Sequence, residues 1–449
     1  MDNRKLDAVR IRVQQIRAES PWMEDYEIEA IVCTEFDLSS FNVSEVRAVT
    51  DSANALQTSN AGYDSIREDA IGKFGAYEPV SKGAAQRKDM ATRALYTLTE
   101  KGNDQQSRAV LQKAATTIGK NIKRESNRVG FSLLLFIVIE VIISVVIVMF
   151  TVSIMGWSID EVYAFVVKPS NMAMLHAGML LLGLAFPFLA YLFIHKLPIN
   201  EMVPLHSLRK GELMPLVWTG LGMMMVDGCI SNYVSHPGGL RGANYSFDVV
   251  SFGSTPIDVL LTFVCLGIIP ALIETFVFNG VILQVFRRRG GDGFALVFSS
   301  LLFAILTTNF AEMPGAFLTS LWLGYMVIYS GSLVPAVIVR LAERILFFVV
   351  TQMGFLVSDI DFIMYADCFI SIVIILIGMV SMATLLKRFP EYFVIKRSDP
   401  VLTMGQKLRF GLTRWSIIAL MVYSIVFSII QLFDINEIIE RTTTMLYGG

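Results

Sequence analysis

Residues 131–154, FSLLLFIVIEVIISVVIVMFTVSI, form an apolar stretch that contains a single charged residue, Glu140. A helix of about 20 such residues is long enough to cross a hydrocarbon core of about 30 Å, so this stretch predicts a membrane-spanning helix. The composition agrees, because 54% of the 449 residues are apolar, only 17% are charged and the mean hydropathy is +0.57. A soluble globular protein carries about 25% charged residues. The composition therefore excludes a purely soluble enzyme.

Similar apolar stretches continue along the chain after residue 154. We predict spans near 131–154, 172–194, 213–232, 257–285, 293–310, 315–330, 332–355, 369–386 and 414–434. The stretches 293–310 and 315–330 are short and separated by four residues, so they form either two crossings or one re-entrant hairpin. The sequence thus predicts an all-α, polytopic membrane helix bundle of eight or nine spans over residues 129–434. A short C-terminal tail, residues 435–449, follows it.

Residues 1–128 differ in character, since they hold 19 Lys+Arg and 19 Asp+Glu. They contain no nucleotide-binding loop, metal-ligand cluster or catalytic motif, so we predict a mostly helical docking or regulatory module that binds a protein partner. An acidic block without Lys or Arg, residues 21–45, faces solvent, a basic partner or the module's own helices. The apolar positions with helical spacing, which predict amphipathic helices, are Leu6, Val9, Val13 and Ile16; Val46, Val49, Ala53 and Leu56; and Leu111, Ala114, Ile118 and Ile122.

The charges in the loops predict the orientation of the chain. With the N-terminus inside, the inner loops of residues 129–449 hold thirteen Lys and Arg and the outer segments hold three. By the positive-inside rule, we predict a multi-pass protein of the cell membrane with a cytoplasmic N-terminus, and nine spans would leave the C-terminus outside. We expect no nucleic-acid partner, because the net charge is −2 and the basic residues form no single field. The four cysteines lack CxxC spacing and indicate neither a disulfide framework nor a metal site.

The fourth predicted span carries a carboxylate near its middle. This residue, Glu274, lies in PALIETFVFNGVIL, residues 270–283. A charged residue inside an apolar helix is a functional-site hypothesis by default. Further motifs follow: SSLLFAILT at 299–307, LGY at 323–325, YSGSLVPA at 329–336 and VRLAER at 339–344.

In order and spacing, these segments resemble the CPBP family of CAAX-protease and bacteriocin-processing intramembrane proteases, also called Abi proteins. The family's pattern is EExxFRG, then FxxxH, then a GSLxPA turn leading into HxxxN. The resemblance covers roughly residues 210–350 and does not reach the first 128 residues. It implies a glutamate that activates water while histidines and an asparagine orient it, or, in an older view, bind zinc.

Most of the residues that carry this chemistry are replaced. Glu274 is retained, but threonine, asparagine, threonine, arginine and arginine stand where the pattern has Glu, Arg, His, His and Asn; these degenerate positions are Thr275, Asn279, Thr307, Arg340 and Arg344. Threonine and a permanently charged arginine neither relay a proton nor ligate a metal near pH 7. We therefore predict no metal and no cofactor, with Glu274 the only catalytic candidate. His176, in the second span, could approach the site from another helix.

The replaced residues also predict a structural alternative to catalysis. Glu274 and Arg340 can form a charge-assisted pair within the bundle, with Glu343 and Arg344 available to extend it. Alternatively, Arg340 and Arg344 reach the membrane interface, as long basic side chains do. Asp227, in the third span, is either a paired structural group or part of a polar cavity.

Three functions remain open at this stage. The first is a non-catalytic, pseudoenzyme member of the family, a scaffold or regulator in the lipid bilayer that binds a membrane protein or a lipidated peptide. The second is a divergent intramembrane endopeptidase that uses Glu274 for CAAX-type or bacteriocin-type processing. The third is a transporter component, although no internal repeat supports it. The motif spacing favours the first two, and the missing histidines favour the first.

Overall fold

The structure is a computed structural model that describes residues 25–36, 105–206, 208–209, 211–235, 255–310, 312–356, 360–390 and 401–432, with single positions 9, 12, 13, 16, 23, 94 and 97. All regular elements in this part of the chain are helical, which confirms the all-α class. The predicted amphipathic face at residues 46–56 and the tail 435–449 lie outside the described residues.

The described residues form the following helices, in chain order. Their bounds are α1 Asp25–Glu35, α2 Gln105–Ser153, α3 Ile159–Val167, α4 Pro169–Ile194, α5 Ile199–Met202, α6 Leu213–Ser235, α7 Pro256–Gly290, α8 Asp292–Leu306, α9 Met313–Ser330, α10 Val334–Leu356, α11 Ile360–Arg388, α12 Met404–Leu412 and α13 Trp415–Leu432. Two of them contain π-helical segments: Leu180–Ala185 within α4, and Val264–Ile268 and Thr275–Ile282 within α7.

Five of the described helices are long and apolar enough to cross a membrane. They lie in α2, α4, α6, α7 and α11, and the pair α12–α13, bent by 78°, would be a sixth. These apolar helices indicate a lipid bilayer environment, but the predicted count of eight or nine spans is not confirmed. The predicted spans that are missing from the candidates correspond to α8, α9 and α10. At 1.5 Å per residue, the 15-residue α8 is about 22 Å long, and α10 carries Arg340, Glu343 and Arg344.

The described chain divides into two compact units. The first comprises residues 1–122 with 397–407, and the second comprises residues 123–396 with 408–449. The predicted domain boundary at residue 128 lies inside the continuous helix α2, close to this division.

In the first unit, several apolar positions of two of the predicted faces are buried. The buried positions are Val9, Val13 and Ile16 on one face and Ala114, Ile118 and Ile122 on another. Part of the acidic block pairs within the same unit: Glu35 forms a salt bridge of 2.8 Å with Arg12, and Glu29 accepts a hydrogen bond from Lys113. At these two positions the acidic block faces the module's own basic side chains.

In the second unit, α6 packs closely along α11. Gly222 and Gly378 make this approach possible, since a Cβ built on Gly378 would lie 2.9 Å from the Cα of Gly222. Small residues at such a contact let two helix backbones come together, as is common between membrane helices. α6 also contacts α9 and α10.

Helix α7 lies at the centre of this unit and contacts α4, α8, α9 and α10. Its C-terminal part packs on α8 through the buried rings of Phe286, Phe294 and Phe298, whose centroids are 4.7 to 5.8 Å apart. The connection turns sharply at Gly291, whose φ of +87° favours glycine. The most apolar window of α2, by contrast, is only 11% buried, which suits a lipid-facing helix. α7 is thus packed among the other helices of this unit, whereas this window of α2 is largely exposed.

Candidate functional site

Glu274 is the last residue of a regular stretch of α7, immediately before the π-helical segment Thr275–Ile282. π-helical turns are rare in proteins, and those that do occur are often found at functional sites. The carboxylate faces α10, where Nη2 of Arg340 donates a hydrogen bond of 2.9 Å to its Oε2 atom. The two residues are 66 positions apart in the sequence, so this contact joins two helices of the bundle.

Arg340 is the centre of a small ion network. Its Nη1 atom donates to Oε2 of Glu343 at 2.9 Å, and Nη2 of Arg344 lies 4.0 Å from Oε2 of Glu274. The guanidinium also lies over the ring of Phe303 from α8, 5.8 Å from its centroid. Arg340 is only 8% exposed. Its side chain therefore points into the bundle toward Glu274, the arrangement expected for a pair rather than for a side chain reaching the interface.

Hydrogen bonds hold three of the other degenerate positions. The hydroxyl of Thr275 donates to the carbonyl of Ala271 at 2.6 Å, and that of Thr307 donates to the carbonyl of Ala304 at 2.7 Å. Each threonine thus bonds the backbone of its own helix or helix end. Asn279 acts between helices, since its Nδ2 donates to the carbonyl of Ser320 on α9 at 3.1 Å, and it is 3% exposed.

Further polar side chains surround the Glu274–Arg340 contact. His176 of α4 interacts electrostatically with Glu274 and Arg344, and Asp227 of α6 accepts a hydrogen bond from the hydroxyl of Thr319. Glu312, before α9, interacts electrostatically with both Arg344 and Asp227. We call the following residues the polar cluster: His176, Asp227, Glu274, Glu312, Thr319, Arg340, Glu343 and Arg344. They come from α4, α6, α7, α9, α10 and the turn before α9.

Sequence reasoning missed Glu312, although a signal was present. Glu312 is the only charged residue between the apolar stretches 293–310 and 315–330. In the structure it lies in the turn between α8 and α9, with Oε1 3.3 Å from Nδ2 of Asn309. Burial, reinforced by the charge of Asp227 and opposed by that of Arg344, raises the pKa of Glu312 to about 7. Near neutral pH this carboxyl can therefore hold a proton.

One comparison with known proteins identifies the central segment. Residues 256–345 match the family described as type II CAAX prenyl endopeptidase Rce1-like. This segment is therefore similar to an Rce1-like endopeptidase domain. The match confirms the resemblance to the CPBP family predicted from the motifs between Glu274 and Arg344. A search of the curated proteins gave no match, and a search of the solved structures gave none.

The residues around Glu274 in the matched segment do not fit a zinc ion. A catalytic zinc usually has three protein ligands. Within the described part of the chain, no three His, Cys, Asp or Glu side chains are grouped so that they could hold a metal ion. Nη2 of Arg340 also lies 2.9 Å from Oε2 of Glu274, so a fixed cation already occupies the position beside the retained carboxylate. The arrangement can hold an ion pair and a proton, but it offers no zinc ligand set.

Proposed function

We propose that this protein is a multi-pass membrane scaffold or regulator whose Rce1-like domain does not catalyse proteolysis. The observation that carries the proposal is the hydrogen bond between Arg340 and Glu274. A glutamate that activates water must accept a proton from it, and a second group must orient that water. Here Oε2 of Glu274 accepts from a guanidinium, and the matched histidine positions hold Thr307 and Arg340.

We infer the ligand of this scaffold from the description of the matched family. The matched family is described as a prenyl endopeptidase, so the ligand we propose is a prenylated or otherwise lipidated C-terminal peptide held within the bundle. A protein partner would bind through the N-terminal module, residues 1–128, which we propose to be cytoplasmic. The single polypeptide would then hold a lipidated protein at the membrane without cleaving it.

The test measures cleavage and stability in the same preparation. The full-length protein in lipid nanodiscs is incubated with a fluorescent farnesylated CAAX peptide, and cleavage is followed by mass spectrometry and binding by anisotropy. We expect binding without cleavage, and we expect Glu274→Gln to lower the melting temperature. A matched control is Glu343→Gln, which removes the other carboxylate paired with Arg340 and leaves Glu274 intact. Cleavage that Glu274→Gln abolishes without lowering the melting temperature would contradict the proposal.

One observation favours a second function, a divergent intramembrane endopeptidase. His176 of α4 interacts electrostatically with Glu274, so an imidazole from outside the matched segment is available near the carboxylate. An endopeptidase of this kind requires both side chains. In the same nanodisc assay, His176→Gln should then abolish cleavage as completely as Glu274→Gln. Equal, background-level product from wild type and both variants would exclude the endopeptidase.

A further inference from the structure

A basic cavity of about 360 Å³ lies at one end of the second unit, away from the polar cluster. Parts of three helices line it: the segment of α2 that precedes its apolar stretch, the C-terminal end of α4 and the C-terminal end of α7. Five basic side chains line the cavity: Arg124, Arg128, Lys196, Arg288 and Arg289. The loop charges predict that this end of the bundle is cytoplasmic.

A buried carboxylate organises one wall of the cavity. Glu125 accepts a hydrogen bond of 2.8 Å from the hydroxyl of Tyr191 and one of 3.2 Å from Nη1 of Arg128. Nε of Arg124 lies 3.4 Å from the same carboxylate. The two arginines of α2 are therefore anchored beside each other by a third residue, which fixes their positions before any ligand arrives.

The cavity has more positive than negative charge. Glu125 lines it, and Glu201 pairs with Arg288 from outside the lining. Within the lining itself, five basic side chains stand beside one carboxylate. Burial and the neighbouring Arg128 lower the pKa of His195. The composition of this lining therefore suits an anionic group.

The remaining wall is apolar. Ile194, Leu197, Met202 and Val285 line it, and the side chain of Ile194 is exposed. Arg128 precedes the apolar stretch that begins at Phe131, so the cavity lies where a hydrocarbon core would meet the head groups. A soluble phosphate compound would contact only the basic wall. A phospholipid would contact both walls, because its phosphate group would bind the basic side chains and its acyl chains would pack against the apolar side chains.

We propose that this cavity binds the phosphate head group of an anionic membrane lipid. Guanidinium groups match phosphate oxygens in geometry and charge, and the anchored pair of arginines supplies two of them. Basic pockets between membrane helices at the cytoplasmic side are typical sites for anionic lipids. The site is independent of Glu274, so the inference does not rest on the proposed scaffold function.

The test uses the full-length protein in a zwitterionic detergent, with lipid binding measured by native mass spectrometry. The probes are dioleoyl phosphatidylglycerol, dioleoyl phosphatidylcholine and glycerol 1-phosphate. The cavity variant combines Lys196→Asn with Arg289→Gln. Asparagine is chosen because Lys196 has a φ of +49°, a conformation that asparagine tolerates. Arg128 is left unchanged, because its loss would remove a partner of buried Glu125.

A matched control removes two charges from another helix end. Lys387→Gln with Arg388→Gln neutralises the last turn of α11, whose basic side chains are exposed and do not line the cavity. We expect wild type and control to retain phosphatidylglycerol at least tenfold more tightly than phosphatidylcholine, and the cavity variant to lose that preference. All proteins must elute as single species with melting temperatures within a few degrees of wild type.

Three outcomes would overturn the proposal. No preference for phosphatidylglycerol in the wild-type protein would remove the site. An equal loss in the control variant would mean that general surface charge, and not the cavity, attracts the lipid. Binding of glycerol 1-phosphate as tight as that of phosphatidylglycerol would identify a soluble phosphate ligand and exclude the lipid.

Discussion

The contact between Glu274 and Arg340 can be tested by removing one or both charges. Arg340→Met leaves the carboxylates of Glu274 and Glu343 in the bundle without this arginine. We expect the free energy of unfolding to fall by about 3 to 5 kcal/mol, which is the usual cost of breaking a buried pair. Combining Arg340→Met with Glu274→Gln should restore much of that loss, because both charges are then removed. Melting curves of the wild type, both single variants and the double variant give the coupling free energy. Additive effects within about 0.5 kcal/mol would show that the two residues do not stabilise each other.

Asn279 provides a second test, since it joins α7 to α9. Asn279→Ala removes the hydrogen bond to the buried carbonyl of Ser320 and should lower the free energy of unfolding by about 1 to 3 kcal/mol. Thr275→Val is the matched control one turn earlier, because the threonine hydroxyl bonds the backbone of its own helix. The measurement is the melting temperature in detergent. If the control lost as much stability as Asn279→Ala, the inter-helix bond would not be the cause.

Glu312 should make stability depend on pH. Its folded-state pKa is about 7, whereas the pKa of a glutamate in the unfolded chain is about 4.3. Between these values the folded protein binds more protons than the unfolded chain, so stability falls as the pH rises through this window and levels off above it. Glu312→Gln should remove that slope in melting temperatures measured from about pH 5 to pH 8, a range that brackets the folded-state value. The control is Asp160→Asn, which is exposed on α3 and should leave the slope unchanged.

At the residue scale, the sequence indicated the two central residues of the site but not the residues that surround them. Glu274 and Arg340 could be placed in one bundle because the motif order implied which helices are neighbours. The sequence could not show that Glu312 lies near this site, because the position of a turn between two apolar stretches depends on tertiary packing. The inter-helix role of Asn279 was equally hidden, since its partner is a backbone carbonyl, which no sequence pattern marks.

At the scale of the helices, the glycine contact between α6 and α11 gives the clearest prediction. A Cβ on Gly378 would meet the Cα of Gly222 at 2.9 Å and the carbonyl of Trp218 at 3.1 Å. Gly378→Ala should therefore separate the helices and cost about 1 to 3 kcal/mol of stability. Gly228→Ala on α6 is the control, because no neighbouring atom lies within 4 Å of the place that its methyl group would take, and alanine favours helix. A Gly378→Ala variant as stable as wild type would contradict the close approach.

The sequence predicted the helices themselves more reliably than their role as spans. Hydropathy identified apolar stretches at 293–310, 315–330 and 332–355, and each corresponds to a helix, α8, α9 or α10. None of the three is among the candidate spans. Apolar runs indicate burial in either lipid or protein, and in the structure α8, α9 and α10 all contact α7, while α9 and α10 also contact α6. Periodicity also gave no sign of the π-helical segments, which depend on how α7 packs.

For the whole molecule, the orientation in the membrane remains a prediction from loop charges. In a background without the native cysteines, Tyr163→Cys on α3 should react with a membrane-impermeant maleimide in intact cells. Arg388→Cys at the end of α11 should react only after permeabilisation. Both side chains are exposed, so accessibility within the protein does not limit either reaction. The opposite labelling pattern would invert the predicted topology and place the N-terminal module outside.

The π-helical segment Thr275–Ile282 also bears on which genetic changes the protein can tolerate. A wide turn holds one more residue than an α-helical turn over the same path. Removing one residue there would convert the wide turn into a regular turn and leave the flanking helix in place, whereas a deletion in a regular stretch rotates everything beyond it by about 100°, since a helix has 3.6 residues per turn. Leu283 and Phe286, both fully buried, would therefore keep their places in the interior. A single-codon deletion in this segment should thus be less damaging to the whole fold than one in the regular stretch Ile269–Glu274 that precedes it.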